Sequence, residues 1–169
     1  MDDRVTRRAI TLRDATDDDI LFAWKLYSDH CCPLITPFLE GHWDEVVEQQ
    51  KFRAIWRPEM TKIVQFGASR IGWFSIRVAA AEVKLENFYI AMPYRGRGIG
   101  TTIVRDIIDT AAASGRLVQL HVLRGTAAVQ FYQKLGFDKF SASKMTIEMK
   151  YQVSTKSAGG CGNVPRGSR

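Results

Sequence analysis

The segment Tyr94-Arg95-Gly96-Arg97-Gly98-Ile99-Gly100 constrains this chain more than any other, because it joins a strand-like run directly to a helical one. Its glycines let the backbone turn sharply and bring its N–H groups close to a ligand. The helix that follows adds its positive dipole end, and Arg95 and Arg97 add charge. Such a turn suits a pyrophosphate. Two common nucleotide-binding turns fail here on residue identity. A dinucleotide turn counted from Gly96 needs glycine where Thr101 stands, and the next strand carries His121 rather than an acid for the ribose. A phosphate loop of the Gly-Lys-Ser/Thr type needs a lysine, and the turn has none.

Periodicity places this turn within a larger pattern. Before it, Lys62 to Phe66, Ile71 to Val78 and Val83 to Ile90 read as strands, the last two forming a hairpin. After it, Ile99, Ile103, Val104, Ile107, Ile108 and Ala111 recur at helical spacing up to Gly115. Leu117 to Leu123 is a strand with Val118, Leu120 and Val122 on one face and Gln119 and His121 on the other. Ala127 to Leu135 is a short helix ended by Gly136, and Ser143 to Tyr151 alternates as a final strand. Ahead of all these lie a strand at Ala9 to Arg13 and a helix capped by Asp17 running through Leu21, Trp24, Lys25 and Tyr27. Pro33 and Pro37 are expected to break the chain. A second helix covers Trp43 to Ile55. The order is α/β with a mixed sheet.

The chain has 169 residues, 46% hydrophobic and 25% charged, which excludes wholesale disorder and suits one domain. That domain is expected over residues 1–153. Residues 154–169 read as a flexible tail whose Val164-Pro165-Arg166-Gly167-Ser168 resembles a thrombin cleavage site, hence a vector remnant. Net charge is +6, from 24 Lys and Arg against 18 Asp and Glu. Lys156, Arg166 and Arg169 of that excess lie in the tail. The remainder is too mild to argue for a nucleic acid partner, although it suits an anionic ligand. Cys31, Cys32 and Cys161 form neither a disulfide framework nor a zinc spacing, so no metal is expected. No apolar run is long enough to span a membrane, and the charged start Met1-Asp2-Asp3-Arg4 shows no secretory leader; a cytoplasmic protein is the expectation.

The string Arg95-x-x-Gly98-x-Gly100 at a helix start resembles the acyl-CoA pyrophosphate loop of the GNAT N-acetyltransferases. Leu85-Glu86-Asn87-Phe88-Tyr89-Ile90-Ala91-Met92-Pro93-Tyr94 is similar to the strand before that loop. Phe131-Tyr132-Gln133-Lys134-Leu135-Gly136-Phe137 is similar to the family's later helix-and-turn signature. The front part, with Gly41-His42-Trp43-Asp44-Glu45 and Gln49-Gln50-x-Phe52, looks like a branch of the family and names no substrate. The resemblance implies a mostly antiparallel central sheet flanked by helices and splayed between its fourth and fifth strands. It also implies acetyl-CoA as cosubstrate and direct acetyl transfer to a primary amine of a small molecule, protein or peptide. A homodimer is compatible with it.

By the same resemblance, main-chain groups of Phe88, Tyr89 and Ile90 would run beside the pantetheine arm. Amides from Gly96, Arg97, Gly98, Ile99, Gly100 and Thr101 would hold the pyrophosphate, with Arg95 beside them. Tyr132 would protonate the leaving thiolate, although Ala128, Phe131 and Leu135 around it also suit a core aromatic. Thr126 stands where many members place an asparagine that helps bind the CoA arm; it equally suits a helix cap. The base stays open between Glu86, His121 and ordered water. The acceptor pocket is expected between the first helices and the hairpin ending at Ile90. Trp24, Tyr27, His30, Phe38, His42, Trp43 and Trp73 are candidate walls, most of them expected to be core. A non-catalytic acyl-CoA-binding module is the rival reading.

Overall fold

The computed structural model of the chain describes residues 10–39 and 42–152. Ala9, Gly41, Cys161 and the tail expected from residue 154 lie outside the described residues. The strands are β1 (Ile10–Asp14), β2 (Thr61–Phe66), β3 (Ser69–Val78), β4 (Glu82–Ile90), β5 (Leu117–Leu123), β6 (Asp138–Ala142) and β7 (Thr146–Tyr151). The helices are α1 (Ile20–Ile35), α2 (Glu45–Ile55), α3 (Ile99–Ala113) and α4 (Ala127–Lys134). The strands form one sheet in the order β1-β2-β3-β4-β5-β7-β6. Every pairing is antiparallel except β4 with β5. This is the mixed, mostly antiparallel sheet expected.

Each helix follows from local chemistry. Asp44 caps α2 by accepting from the amides of Val46 and Val47 at 2.9 and 3.0 Å, with Glu45 and Glu48 in the first turn and Arg53 in the last. Ahead of α1, Asp19 accepts from the Thr16 amide at 2.9 Å and from Arg13 through both carboxylate oxygens at 2.7 Å. In α3 the stripe Ile99, Ile103, Val104, Ile107, Ile108 and Ala111 is buried throughout. At about 1.5–3 kcal/mol per fully buried large aliphatic side chain, that stripe anchors α3 to the sheet.

Strand alternation divides the core in two. Val64, Ile71, Phe74, Leu85, Val118 and Leu120 pack with α3 and α4 on one face. Ile63 and Trp73 pack with Ala23, Trp24, Phe52 and Trp56 on the α1–α2 side of the sheet.

Three expectations need correction. Pro33 does not break the chain, because α1 runs through it to Ile35. It lies in the last turn, exposed, where the carbonyl it leaves unpaired can face water. The last strand starts at Thr146 rather than Ser143: the Ser143 hydroxyl accepts from the amides of Met145 and Thr146 at 3.3 and 3.0 Å and makes a turn. That turn returns from β6, a strand the apolar pattern does not signal, since all five of its residues are exposed.

Candidate functional site

The sheet opens where the site lies. β4 and β5 pair only from Glu82↔Leu117 to Leu85↔Leu120. Just beyond, the β3–β4 register jumps from Ile76↔Leu85 to Ser75↔Asn87, leaving Glu86 as an extra residue. A bulge of this kind bends its strand and raises its twist. β4 therefore leaves β5 after Leu85, and the splay falls between the fourth and fifth strands as expected. Along Phe88 to Ile90 the β5-facing edge of β4 pairs with no strand among the described residues.

A groove of about 460 Å³ occupies this gap on the glycine-turn side. Phe88, Tyr89, Ile90, Arg95, Gly96, Gly98, Ile99, Gly100 and Thr101 line it, together with Phe131 and Tyr132. The turn has the geometry that its residues require. Gly96 and Gly98 hold φ of 71° and 79°, the left-handed region that side chains disfavour. Gly98 is the N-cap of α3 and no side chain caps that end. The amides of Ile99, Gly100 and Thr101 thus lack intrahelical acceptors and stand free for an anion. Arg95 ties the turn to the strand, its Nε donating to the Ile90 carbonyl at 2.6 Å. Arg97 does not line the groove; its guanidinium lies over the Tyr94 ring, 5.6 Å from the centroid.

A second, smaller cavity of about 120 Å³ lies in the splay, lined by Cys31, Leu34, Glu86, His121 and Thr126 among others. Thr126 starts α4 but its hydroxyl donates back to the Leu123 carbonyl at 2.8 Å, and it lines this cavity rather than the groove. Glu86 is held by Arg77 at 2.8 Å, and His121 is exposed opposite Glu148 on β7. The groove and the cavity share His30, Phe88, Tyr89, Ala128 and Tyr132 in their linings, so they meet there.

Tyr132 is a core residue that also lines both the groove and the cavity. It is 6% exposed, with ring centroids 4.9 Å from Phe131 and 5.4 Å from Phe137. Its hydroxyl has no hydrogen-bond partner among the described residues. Burial pushes its phenol well above the ordinary range, so it is protonated at neutral pH. Tyr89, by contrast, has its hydroxyl 3.5 Å from the Cys31 sulfur, and burial raises its phenol as well.

Of the candidate walls, Trp24, Tyr27, Trp43 and Trp73 pack in the α1–α2 core, as expected for most of that set, while Phe38 and His42 are exposed. His30 alone of that set reaches the junction. Its ring is half-buried and edge-on to Tyr89, centroids 5.5 Å apart. Burial, and then the positive charge of Arg95, hold its pKa below the ordinary 6.5. The spacing Tyr27, His30, Leu34 puts these residues on one helix face, a signal that core aromatics on the same helix obscure. Among the described residues, no group of three or more His, Cys, Asp or Glu could hold a metal ion, and no helix is long and apolar enough to cross a membrane.

Residues 20–137 match the model of the acetyltransferase (GNAT) family. An N-acetyltransferase of Methanocaldococcus jannaschii is 31% identical over 94 residues, 54% of this chain and 42% of that protein, so the match spans under half of that relative. The Bacillus subtilis protein YyaT is 28% identical over 117 residues, 69% of this chain and 78% of that one. Among solved structures, the PaiA N-acetyltransferase of Thermoplasma acidophilum, determined with coenzyme A, superposes with a TM-score of 0.68 at 16% identity, covering 85% of this chain and 99% of that one. A ribosomal-protein-alanine N-acetyltransferase of Escherichia coli gives a TM-score of 0.63 at 17% identity, covering 88% of this chain and 97% of that one.

Proposed function

The chain belongs to the acetyltransferase (GNAT) family, a class of acetyl-CoA-dependent acyltransferases, and on that footing we propose that it moves an acetyl group from acetyl-CoA directly to a primary amine of a small molecule, protein or peptide. The observation that carries the reading is the meeting of two spaces at Tyr132: a groove that begins at an anion-accepting turn, and a cavity that a second reactant can enter. The free amides of Ile99, Gly100 and Thr101 take the pyrophosphate, and the unpaired edge of Phe88 to Ile90 takes the pantetheine arm as an added strand. Holding donor and acceptor together in this way removes much of the entropic barrier.

The transfer forms a C–N bond and breaks the C–S bond. Tyr132 supplies a proton to the departing thiolate. Burial raises the phenol, and a thiolate forming against the same apolar walls is made more basic by the same cause, so the two remain matched. The acceptor arrives as ammonium and must lose a proton to a group lining the second cavity; Glu86 and His121 both line it.

An amine panel tests the proposal. Acetyl-CoA is incubated with small amines, polyamines and peptides of varied N-terminal residue, and thiol release is followed together with the mass of the acceptor. One acetylated amine with stoichiometric thiol supports the reading. Tight CoA binding with no acetylated amine across the panel refutes it in favour of an acyl-CoA-binding module.

A further inference from the structure

We propose that His30 is the base that takes the ammonium proton of the acceptor, in preference to Glu86 and His121. The inference rests on the acetyl-transfer reading above. Position is the first argument. Of the residues that line both spaces, only His30, Tyr89 and Tyr132 can exchange a proton. Tyr89 is occupied with the Cys31 sulfur, and Tyr132 serves the leaving group. Glu86 and His121 line the second cavity alone, whereas His30 lines both that cavity and the groove.

The second argument is chemical state. A base must be unprotonated and free. The Glu86 carboxylate is already engaged by Arg77 at 2.8 Å. The ring nitrogens of His30 have no hydrogen-bond partner among the described residues. The titratable and charged groups that share a lining with it are Asp29 and Cys31 on its own helix, Glu86 and Tyr89 on β4, Tyr94 and Arg95 from the turn, His121 on β5 and Tyr132 on α4. Burial first, and then the positive charge of Arg95, favour the neutral imidazole. The third argument is an exit. His30 also lines a third space of about 440 Å³ with Asp29, Arg95 and the exposed Pro33 and Met92, a side of the ring from which a proton can reach solvent.

The step balances. The ammonium gives one proton to His30, and the neutral amine attacks the thioester carbonyl. After attack the nitrogen loses its second proton, which restores the phenol of Tyr132 once that residue has given its own proton to sulfur. The products are the acetamide, the CoA thiol and one proton, which His30 passes to solvent.

The test uses an acceptor from the panel, with kcat/KM measured against pH for wild type, His30→Gln, Glu86→Gln and His121→Gln, and CoA affinity measured for each by calorimetry. Two acceptors of different basicity are compared. The expected wild-type profile has a low-pH limb below the ordinary histidine value that keeps its position when the acceptor is changed. In His30→Gln the limb disappears and kcat falls by roughly 10²-fold or more, while CoA affinity is retained. Added imidazole restores part of the rate in His30→Ala. A limb that persists in His30→Gln, that moves with acceptor basicity, or that vanishes instead in Glu86→Gln or His121→Gln overturns the assignment. So does a joint loss of CoA affinity and rate without imidazole rescue, which marks a structural role. Failure of the acetyl-transfer reading is distinct: wild type then binds CoA and acetylates nothing, and the base assignment falls with it.

Discussion

Replacing Tyr132 by phenylalanine separates its two roles. The ring packs against Phe131 and Phe137 and is 6% exposed, and phenylalanine keeps that packing. The hydroxyl makes no hydrogen bond among the described residues, so its removal forfeits none; the stability change should stay below about 1 kcal/mol. CoA affinity should hold, because the turn amides and the β4 edge are untouched. Turnover is different. A positioned acid contributes roughly 10²- to 10⁴-fold, or about 2.7 to 5.4 kcal/mol at about 1.36 kcal/mol per decade. The assay is kcat from thiol release at saturating donor and acceptor, beside a thermal melt and CoA calorimetry. Since burial raises the phenol above 10.0, its ionisation should not depress wild-type kcat below that pH. A folded, CoA-binding Tyr132→Phe protein with kcat near wild type would refute the acid assignment.

Gly98→Val places a β-branched side chain at φ 79°, at about 1–2 kcal/mol of left-handed strain; calorimetry should show CoA binding lost in a protein that still melts cooperatively, and wild-type affinity would remove the turn from the donor site. Gly72→Ala would put a Cβ 2.5 Å from the Tyr89 carbonyl oxygen and 2.7 Å from Ile90 Cδ1, so β4 must shift, costing about 1–3 kcal/mol and weakening CoA binding; an unchanged melt and affinity would show that the edge yields freely. Asp19 is buried and accepts from Arg13 and Arg70, so Asp19→Asn should cost about 2–3 kcal/mol in urea melts. Arg13 first, with Thr16 and Arg70, holds the Asp19 carboxyl well below its usual range. That contribution is present above the unfolded carboxylate pKa and lost as pH falls. Wild-type stability should therefore drop between about pH 5 and pH 2 more steeply than that of Asp19→Asn; parallel curves would contradict the linkage.

Much of this protein is local information. The α3 stripe from Ile99 to Ala111, the Asp44 cap and the glycines at positive φ follow from periodicity, capping chemistry and backbone sterics, each legible within a few residues. So were the turn and Tyr132, whose neighbours carry a family pattern. What tertiary structure decided depends on pairing across the sheet. β6 has no apolar face and exists because β7 offers it hydrogen bonds. Nothing in Glu86 itself marks it as the extra residue; the β3 register makes it so, and that bulge opens the sheet. Sequence alone could not sort the candidate walls: Trp24 and Tyr27 entered the core while His30 one turn away reached the junction, because α1 packs its broad aromatic face on β3 and leaves one edge over the splay. Dihedral preference and hydrophobic period act over a handful of residues, whereas a cleft is a mismatch between distant segments, which exists only once both are in place.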